Sequence, residues 1–338
     1  MNSFFEKLLP APVGGGFRRD DDWVWCGSVV EGYDGRFHMF ASMWTKDVGF
    51  SPNWLTNSRV VRAVADRPEG PYEYAGEVLP PRGRDHWDGM MTHNPTIHWH
   101  DGTYLLYYTG TTYDGDMPDA ANPAVSAEMR YQARANQRIG LATAKSPEGP
   151  WLRRSAPILE PRPGKWDAHL TTNPAPVVHD DGSVMLYYKS TGHDKDVLQY
   201  GGAAAQHWTG PYDRLSNEPI FSFDDPKATY EDAFVWYDSW CYQMIFNDLG
   251  GTITGEHHGG AHATSDDGIH WTISKEPKAY SRTIRWDDGT TTTRGHFERP
   301  QLLIQDGVPT HLFAATTIDD QPFWKSAHTY NMVVPLKH

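Results

Sequence analysis

This 338-residue sequence predicts an all-β fold, a five-bladed β-propeller with four-stranded blades. Three observations predict it. The first is a tract that occurs twice. Pro81-Arg82 precedes Trp87-Asp88-x-x-x-Thr92-His93-Asn94-Pro95, and Pro161-Arg162 precedes Trp166-Asp167-x-x-x-Thr171-Thr172-Asn173-Pro174. The second is a turn pair, Asp34-Gly35, Asp101-Gly102, Asp181-Gly182 and Asp306-Gly307, each followed by an apolar, aromatic-rich run. Asp-Gly tolerates the positive φ angles of a tight hairpin. The third is a Gly-Pro-aromatic corner at Gly70-Pro71-Tyr72, Gly149-Pro150-Trp151 and Gly210-Pro211-Tyr212.

The elements follow in order within each unit. First strands begin near Gly27, Asn94, Asn173, Asp232 and Arg299. Second strands run from Phe37, Tyr104, Val184 and Thr310, and the fourth unit carries Asp238-Ser239 at its turn. Third strands read Val60 to Ala65, Ile139 to Ala144, Gly202 to Ala205 and Gly260 to Thr264. The fourth unit replaces the corner with Asp267-Gly268 and Trp271. The expected blades span about 24–80, 90–160, 170–222, 230–282 and 296–338 of one domain covering 1–338. The last unit lacks a fourth strand of its own, so the segment from Gly16 to Arg19 is expected to close the ring. Helix is expected only over Asn2 to Leu9 and within Val125 to Ala135.

Composition narrows the class. The net charge is −13 with no Lys/Arg cluster, which excludes nucleic acid as a partner. No apolar run approaches the ~18 residues of a membrane span. Residues 1–10 carry no basic stretch leading into an apolar one, so a cytoplasmic location is expected. Cys26 and Cys241 both fall in strands and are expected as buried, reduced thiols. The 110–137 loop is too long for a plain connector. It is expected as a rim over a site or as a homo-oligomer contact.

In a propeller the first strands line the central channel. Aligned there, the units place Cys26-Gly27, His93-Asn94, Thr172-Asn173, Glu231-Asp232 and Glu298-Arg299 around one axis. Carboxylates so clustered repel one another, which raises at least one pKa. A neutral acid beside an ionised base is the minimum for cleaving a glycosidic bond. The candidate catalytic residues are therefore Glu231, Asp88, Asp167, Glu298 and Asp232. The candidate substrate-binding residues are Trp25, His93, Asn94, Asn173, His258, His296 and Arg299. Trp44, Trp54, Trp87, Trp166 and Trp236 add rings for stacking on a sugar. Asp20, Asp21 and Asp22 are a further source of a base in the first unit. Asp88 and Asp167 have an equal claim as structural caps, because they sit in the repeat. His257, His258 and His262 lie in a Gly-rich stretch and offer metal ligands, with His258 and His262 on one strand face.

The segment Glu231-Asp232-Ala233-Phe234-Val235-Trp236 resembles the Glu-[Gly/Asp/Cys]-Pro-x-hydrophobic segment of the five-bladed-propeller glycoside hydrolases, the families 32, 43, 62, 68 and 117. The runs 101–110, 181–190 and 141–151 are also similar to family 43. The resemblance implies a glycosidase, exo-acting on a plant or algal oligosaccharide, with Glu231 as general acid. It also implies a channel cation, Ca²⁺ or Zn²⁺, as an optional cofactor. Three departures stand out. Ala233 replaces the Pro, Cys26-Gly27-Ser28 occupies the usual place of the first-blade base, and Asn173 replaces the third-blade Asp. Family 117 also uses a rearranged set, and Glu298 with His296 resembles its late acidic pair. Two other readings stay open. One is a family 130-like phosphorylase using Arg299, His93 and Lys189 on phosphate. The other is a non-catalytic sugar-binding propeller.

Overall fold

The computed structural model describes residues 3–193, 196–221 and 229–337. Four sheets have four strands each in sequential order. Blade one holds β1 (Asp22–Glu31), β2 (Phe37–Thr45), β3 (Arg59–Ala65) and β4 (Glu73–Leu79). Blade two holds β5 (Met91–His100), β6 (Thr103–Thr111), β7 (Arg138–Ala144) and β8 (Leu152–Arg153). Blade three holds β9 (Thr172–Val178), β10 (Val184–Ser190), β11 (Gln199–Ala205) and β12 (Asp213–Arg214). Blade four holds β13 (Tyr230–Tyr237), β14 (Tyr242–Asp248), β15 (Gly259–Ser265) and β16 (Thr272–Tyr280). A short hairpin, β17 (Thr283–Arg285) and β18 (Thr291–Thr293), follows unannounced by the repeat. Blade five has three strands of its own, β19 (Phe297–Gln305), β20 (Val308–Thr317) and β21 (Thr329–Pro335).

The N-terminal segment closes the ring as its sequence position suggests. Phe17 exchanges two backbone hydrogen bonds with Asn331, and Leu8 bridges Leu336 on the same edge of β21. An otherwise bare sheet edge is thereby paired. The hairpins differ in detail from the expectation. Both turn residues have positive φ at Asp101-Gly102 and Asp306-Gly307, whereas only the glycine does at Gly35 and Gly182. Those two turns are one residue longer, with Gly32 and His179 accepting from the glycine N–H.

The core lies between blades rather than in the channel. One apolar cluster fills each of the five blade interfaces, for example Phe40, Val60, Tyr104 and Leu106 between blades one and two. Each blade thus buries both faces, which holds the first strands at fixed angles about the axis. The N-terminal helix reduces to one 3-10 turn, Phe5–Lys7. The described residues hold two α-helices, α1 (Trp54–Asn57), which the pattern did not announce, and α2 (Ala127–Ala135) inside the long loop. Ser126 caps α2, its hydroxyl accepting from the Met129 N–H. Both cysteines are free, but only Cys26 is buried; Cys241 is partly exposed near the turn of β13 and β14. No helix among the described residues is long and apolar enough to cross a membrane.

Candidate active site

Every first strand carries the same irregularity. Its register with the second strand shifts near its start, and the residue at that shift has positive φ: Cys26, Asn94, Asn173, Asp232 and Arg299, all between 50° and 61°. Such a bulge re-aims a side chain, and proteins keep it for that purpose. The next residue is Pro95, Pro174 or Pro300 in three blades, which leaves no N–H to satisfy. The other two N–H groups have partners. Gly27 donates to Asn331 Oδ1 at 2.8 Å, and Ala233 donates to the Tyr200 hydroxyl at 2.9 Å. Ala233 therefore replaces proline where a donor is used.

The five bulged side chains form one hydrogen-bonded row around the axis, which converges on Asp232. Cys26 Sγ donates to Asn94 Oδ1 at 2.8 Å, and Asn94 Nδ2 donates to Asn173 Oδ1. Asn173 Nδ2 donates to Asp232 Oδ1 at 2.6 Å, and Arg299 Nη1 donates to the same oxygen at 3.4 Å. The Arg299 guanidinium also acts electrostatically on the Cys26 thiol, at the other end of the row. All five are buried. Four of them, Asn94, Asn173, Asp232 and Arg299, form the floor of a cavity, with Cys26 beside it.

The residue before each bulged one forms the next layer: Trp25, His93, Thr172, Glu231 and Glu298. All five line one cavity of about 410 Å³. The walls are unlike. Trp25, Trp44, Phe50, Trp54, Phe323 and Trp324 make an aromatic side. Glu231, Lys189, Glu298, His258 and His296 make a charged one, and Arg134 and Gln137 enter from α2 and its end.

The two glutamates are driven apart electrostatically. Burial raises the Glu231 carboxyl; Lys189, 3.2 Å away, opposes this, while Asp232 and Glu298 add to it, and the net shift is upward. Burial also works to raise Glu298, but two imidazoles outweigh it. His258 Nδ1 lies 3.1 Å and His296 Nδ1 2.6 Å from Glu298 Oε1, and they bring its pKa down to about 2. The His296 Nδ1–H donates to that oxygen, whereas His258 Nδ1 lies at ion-pair distance without an aligned hydrogen bond. His93 is held neutral by burial, with Arg299 and Lys189 adding to the effect. Its Nδ1 bonds Ser58 Oγ at 2.7 Å, and its ring lies against Trp54.

Of the twelve candidate catalytic and substrate-binding residues, ten meet in this cavity: Glu231, Asp232, Glu298, Trp25, His93, Asn94, Asn173, His258, His296 and Arg299; of the additional stacking candidates Trp44 and Trp54 join them. Asp88 and Asp167 do not. Both side chains are fully buried away from the cavity. Asp88 accepts from Arg82, Tyr108 and Arg153; Asp167 accepts from Arg162, Tyr188 and Arg214. They tie the loop before a first strand to the outermost strand of the same blade, so their place in the repeat reflects structure. Trp87 and Trp166 stack on Tyr108 and Tyr188 in the same locks, and Trp236 packs in the blade-four and blade-five core. His262 bonds Gln243 and Ser274 on the far face of β15, and His257 is exposed, so only His258 of that trio reaches the cavity. Asp20, Asp21 and Asp22 lie outside it.

Sequence reasoning missed Phe323 and Trp324, which sit in a loop outside the repeat. It also assigned no site role to Arg134 or Gln137 and gave Lys189 only a phosphate role. The cation expectation finds one matching cluster here. His258, His296 and Glu298 place ligand atoms within 4.8 Å of one another, and that donor set suits Zn²⁺ better than Ca²⁺.

No known family pattern matches the chain. A curated protein, "Probable arabinan endo-1,5-alpha-L-arabinosidase C" of Aspergillus fumigatus, is 32% identical over 130 residues. That match covers 36% of this chain, and the chain spans about a third (35%) of the relative's length. Among solved structures, Zg3597, a family 117 glycoside hydrolase of Zobellia galactanivorans, aligns with a TM-score of 0.65 at 15% identity, covering 98% of this chain and 89% of that one. CoXyl43, a family 43 beta-xylosidase/alpha-arabinofuranosidase from a compost metagenome, aligns at 0.60 and 16%, covering 98% and 96%. The fold is that of the five-bladed-propeller glycoside hydrolases.

Proposed function

We propose that this chain is a glycoside hydrolase that removes a terminal sugar from a plant or algal oligosaccharide. The carrying observation is the opposed pair in one cavity, Glu231 shifted up and Glu298 shifted down. Two carboxyls separated in this way divide into an acid and a base. Glu231 donates its proton to the leaving glycosidic oxygen. Lys189 then faces the new Glu231 carboxylate and stabilises it. Glu298, ionised between two imidazoles, activates water or attacks the anomeric carbon. It replaces a first-blade base from the neighbouring fifth blade, which accounts for Cys26 at the usual place. The floor of side chains supports an exo mode, since a blind cavity admits a chain end and not a chain middle. The arabinanase relative makes arabino-oligosaccharides the first substrates to try.

The phosphorylase reading has less support, because Lys189 lies against Glu231 and Asp232 and Arg299 Nη1 against Asp232. A second reading keeps support from the His258, His296 and Glu298 cluster. A divalent cation held by these three would supply Lewis acidity there and make Glu298 a ligand in place of a base. The test is incubation with arabinan-, xylan-, agar- and pectin-derived oligosaccharides. The proposal expects stepwise release of one monosaccharide. Absence of product from every member, with sugar still bound, would favour a non-catalytic binding protein.

A further inference from the structure

Trp324 is 61% exposed, yet it lines the mouth of the cavity. Its position at the cavity, rather than its exposure, sets it apart from other exposed rings such as Trp240. Its mount is rigid. Trp324 meets Phe323 edge to face at 4.9 Å and His296 at 5.9 Å. Phe323 in turn lies 4.7 Å from Phe50, so the ring belongs to the aromatic wall. The loop from Ile318 to His328 is pinned at several points. Ile318 N–H donates to His328 O, Ser326 N–H to Pro322 O, and the Gly295 N–H to Asp319 O. Gly295 is required by this closeness, since a Cβ there would lie 1.8 Å from Gln321 O. The loop is thus fastened one residue before His296, which holds Glu298.

A blind cavity forces the rest of a bound oligosaccharide out through its mouth, past this indole. We propose that Trp324 is the stacking platform of a second-sugar subsite, which binds the ring on the leaving side of the scissile bond. This inference rests on the proposed glycosidase reading. The platform offers a flat apolar face to the C–H face of a pyranose or furanose and needs little ordering on binding. It makes the site prefer a disaccharide or longer chain over a single sugar.

The test measures binding by calorimetry on the full chain carrying Glu231→Gln, with and without Trp324→Ala or Trp324→Phe. The probes are matched pairs: L-arabinose with α-1,5-arabinobiose, D-xylose with xylobiose, and 3,6-anhydro-L-galactose with neoagarobiose. For the pair that binds, the disaccharide should bind roughly 10- to 50-fold more tightly than its monosaccharide. Trp324→Ala should cut that advantage to about three-fold or less, and Trp324→Phe should keep part of it. Trp240→Ala, an 86% exposed Trp at the turn between β13 and β14, should leave it unaltered. An advantage that survives Trp324→Ala overturns the subsite alone, as does an equal loss for both probes. Failure of the chain with Trp324 intact to bind any probe overturns the subsite together with the glycosidase reading.

Discussion

Replacing Glu231 by Gln removes a proton donor and little else. The side chain keeps its volume. Lys189 keeps Asp232 at 3.6 Å, and Arg299 keeps the same carboxylate, so the buried charges stay paired. What disappears is the proton for the leaving oxygen. General acid catalysis contributes about 10²- to 10⁴-fold, or about 3–5 kcal/mol of barrier. The kcat on an oligosaccharide with a poor alkoxide leaving group should fall by that factor, with KM nearly unmoved. An aryl glycoside with a dinitrophenolate leaving group needs no proton and should lose far less. The pH profile carries a second signature. Glu231 must be protonated to act, so wild-type activity falls as pH rises through its raised pKa. The variant should lack that alkaline limb. A Glu231→Gln enzyme that turns over the oligosaccharide at near wild-type rate, or that keeps the alkaline limb, would refute the reasoning.

Three further outcomes are expected. His296→Ala deletes the 2.6 Å partner of Glu298, so the acid limb of kcat/KM should move upward from about pH 2 toward the ordinary carboxylate range; an unmoved limb would separate that limb from Glu298. Asp167→Ala strands Arg162 and Arg214 around a buried gap and should cost about 3–5 kcal/mol in urea unfolding at pH 7. Burial works to raise the Asp167 pKa, but Arg162, Tyr188 and Arg214 hold it lowered, so its contribution is present above the unfolded value near ~4 and is lost as pH falls through the folded one. The gap between variant and wild type should therefore narrow in acid, and a gap independent of pH would count against the ionised lock. Dialysis against a chelator should leave kcat unchanged if Glu298 is a base, whereas a loss restored by Zn²⁺ would favour the cation reading.

Much of the fold was legible because its signals are local. Asp-Gly turns, the Gly-Pro-aromatic corner and the doubled tract each lie within a dozen residues or so. They fix strand order without knowledge of distant contacts. The same repetition misdirected the site. Asp88 and Asp167 looked functional because they repeat near the channel, yet they repeat because two blades use the same lock. The sequence did hold the correcting signal. Arg153 and Arg214 stand at the same place after Gly149-Pro150 and Gly210-Pro211, whereas Tyr74 stands there after Gly70-Pro71 in the unit without the tract. The Glu298 pair was only half visible. His296 is its near neighbour, but His258 comes from another blade, and only the folded ring brings its nitrogen within 3.1 Å. His262 was misassigned because period-two strand geometry gives a shared face only on a regular strand, and His258, with φ of 58°, stands just before β15 in a left-handed conformation. Trp324 belongs to a loop outside the repeat, where no periodicity applies.

The central claim is that one cavity holds one carboxyl in its acid form and another in its base form. Carboxyl-carbon NMR titration of protein labelled at glutamate, assigned with Glu231→Gln and Glu298→Gln, reads this directly. The account predicts that Glu298 titrates near pH 2 and Glu231 above the usual value of 4.5. Overlapping titrations in the ordinary range, or Glu298 titrating above Glu231, would contradict it.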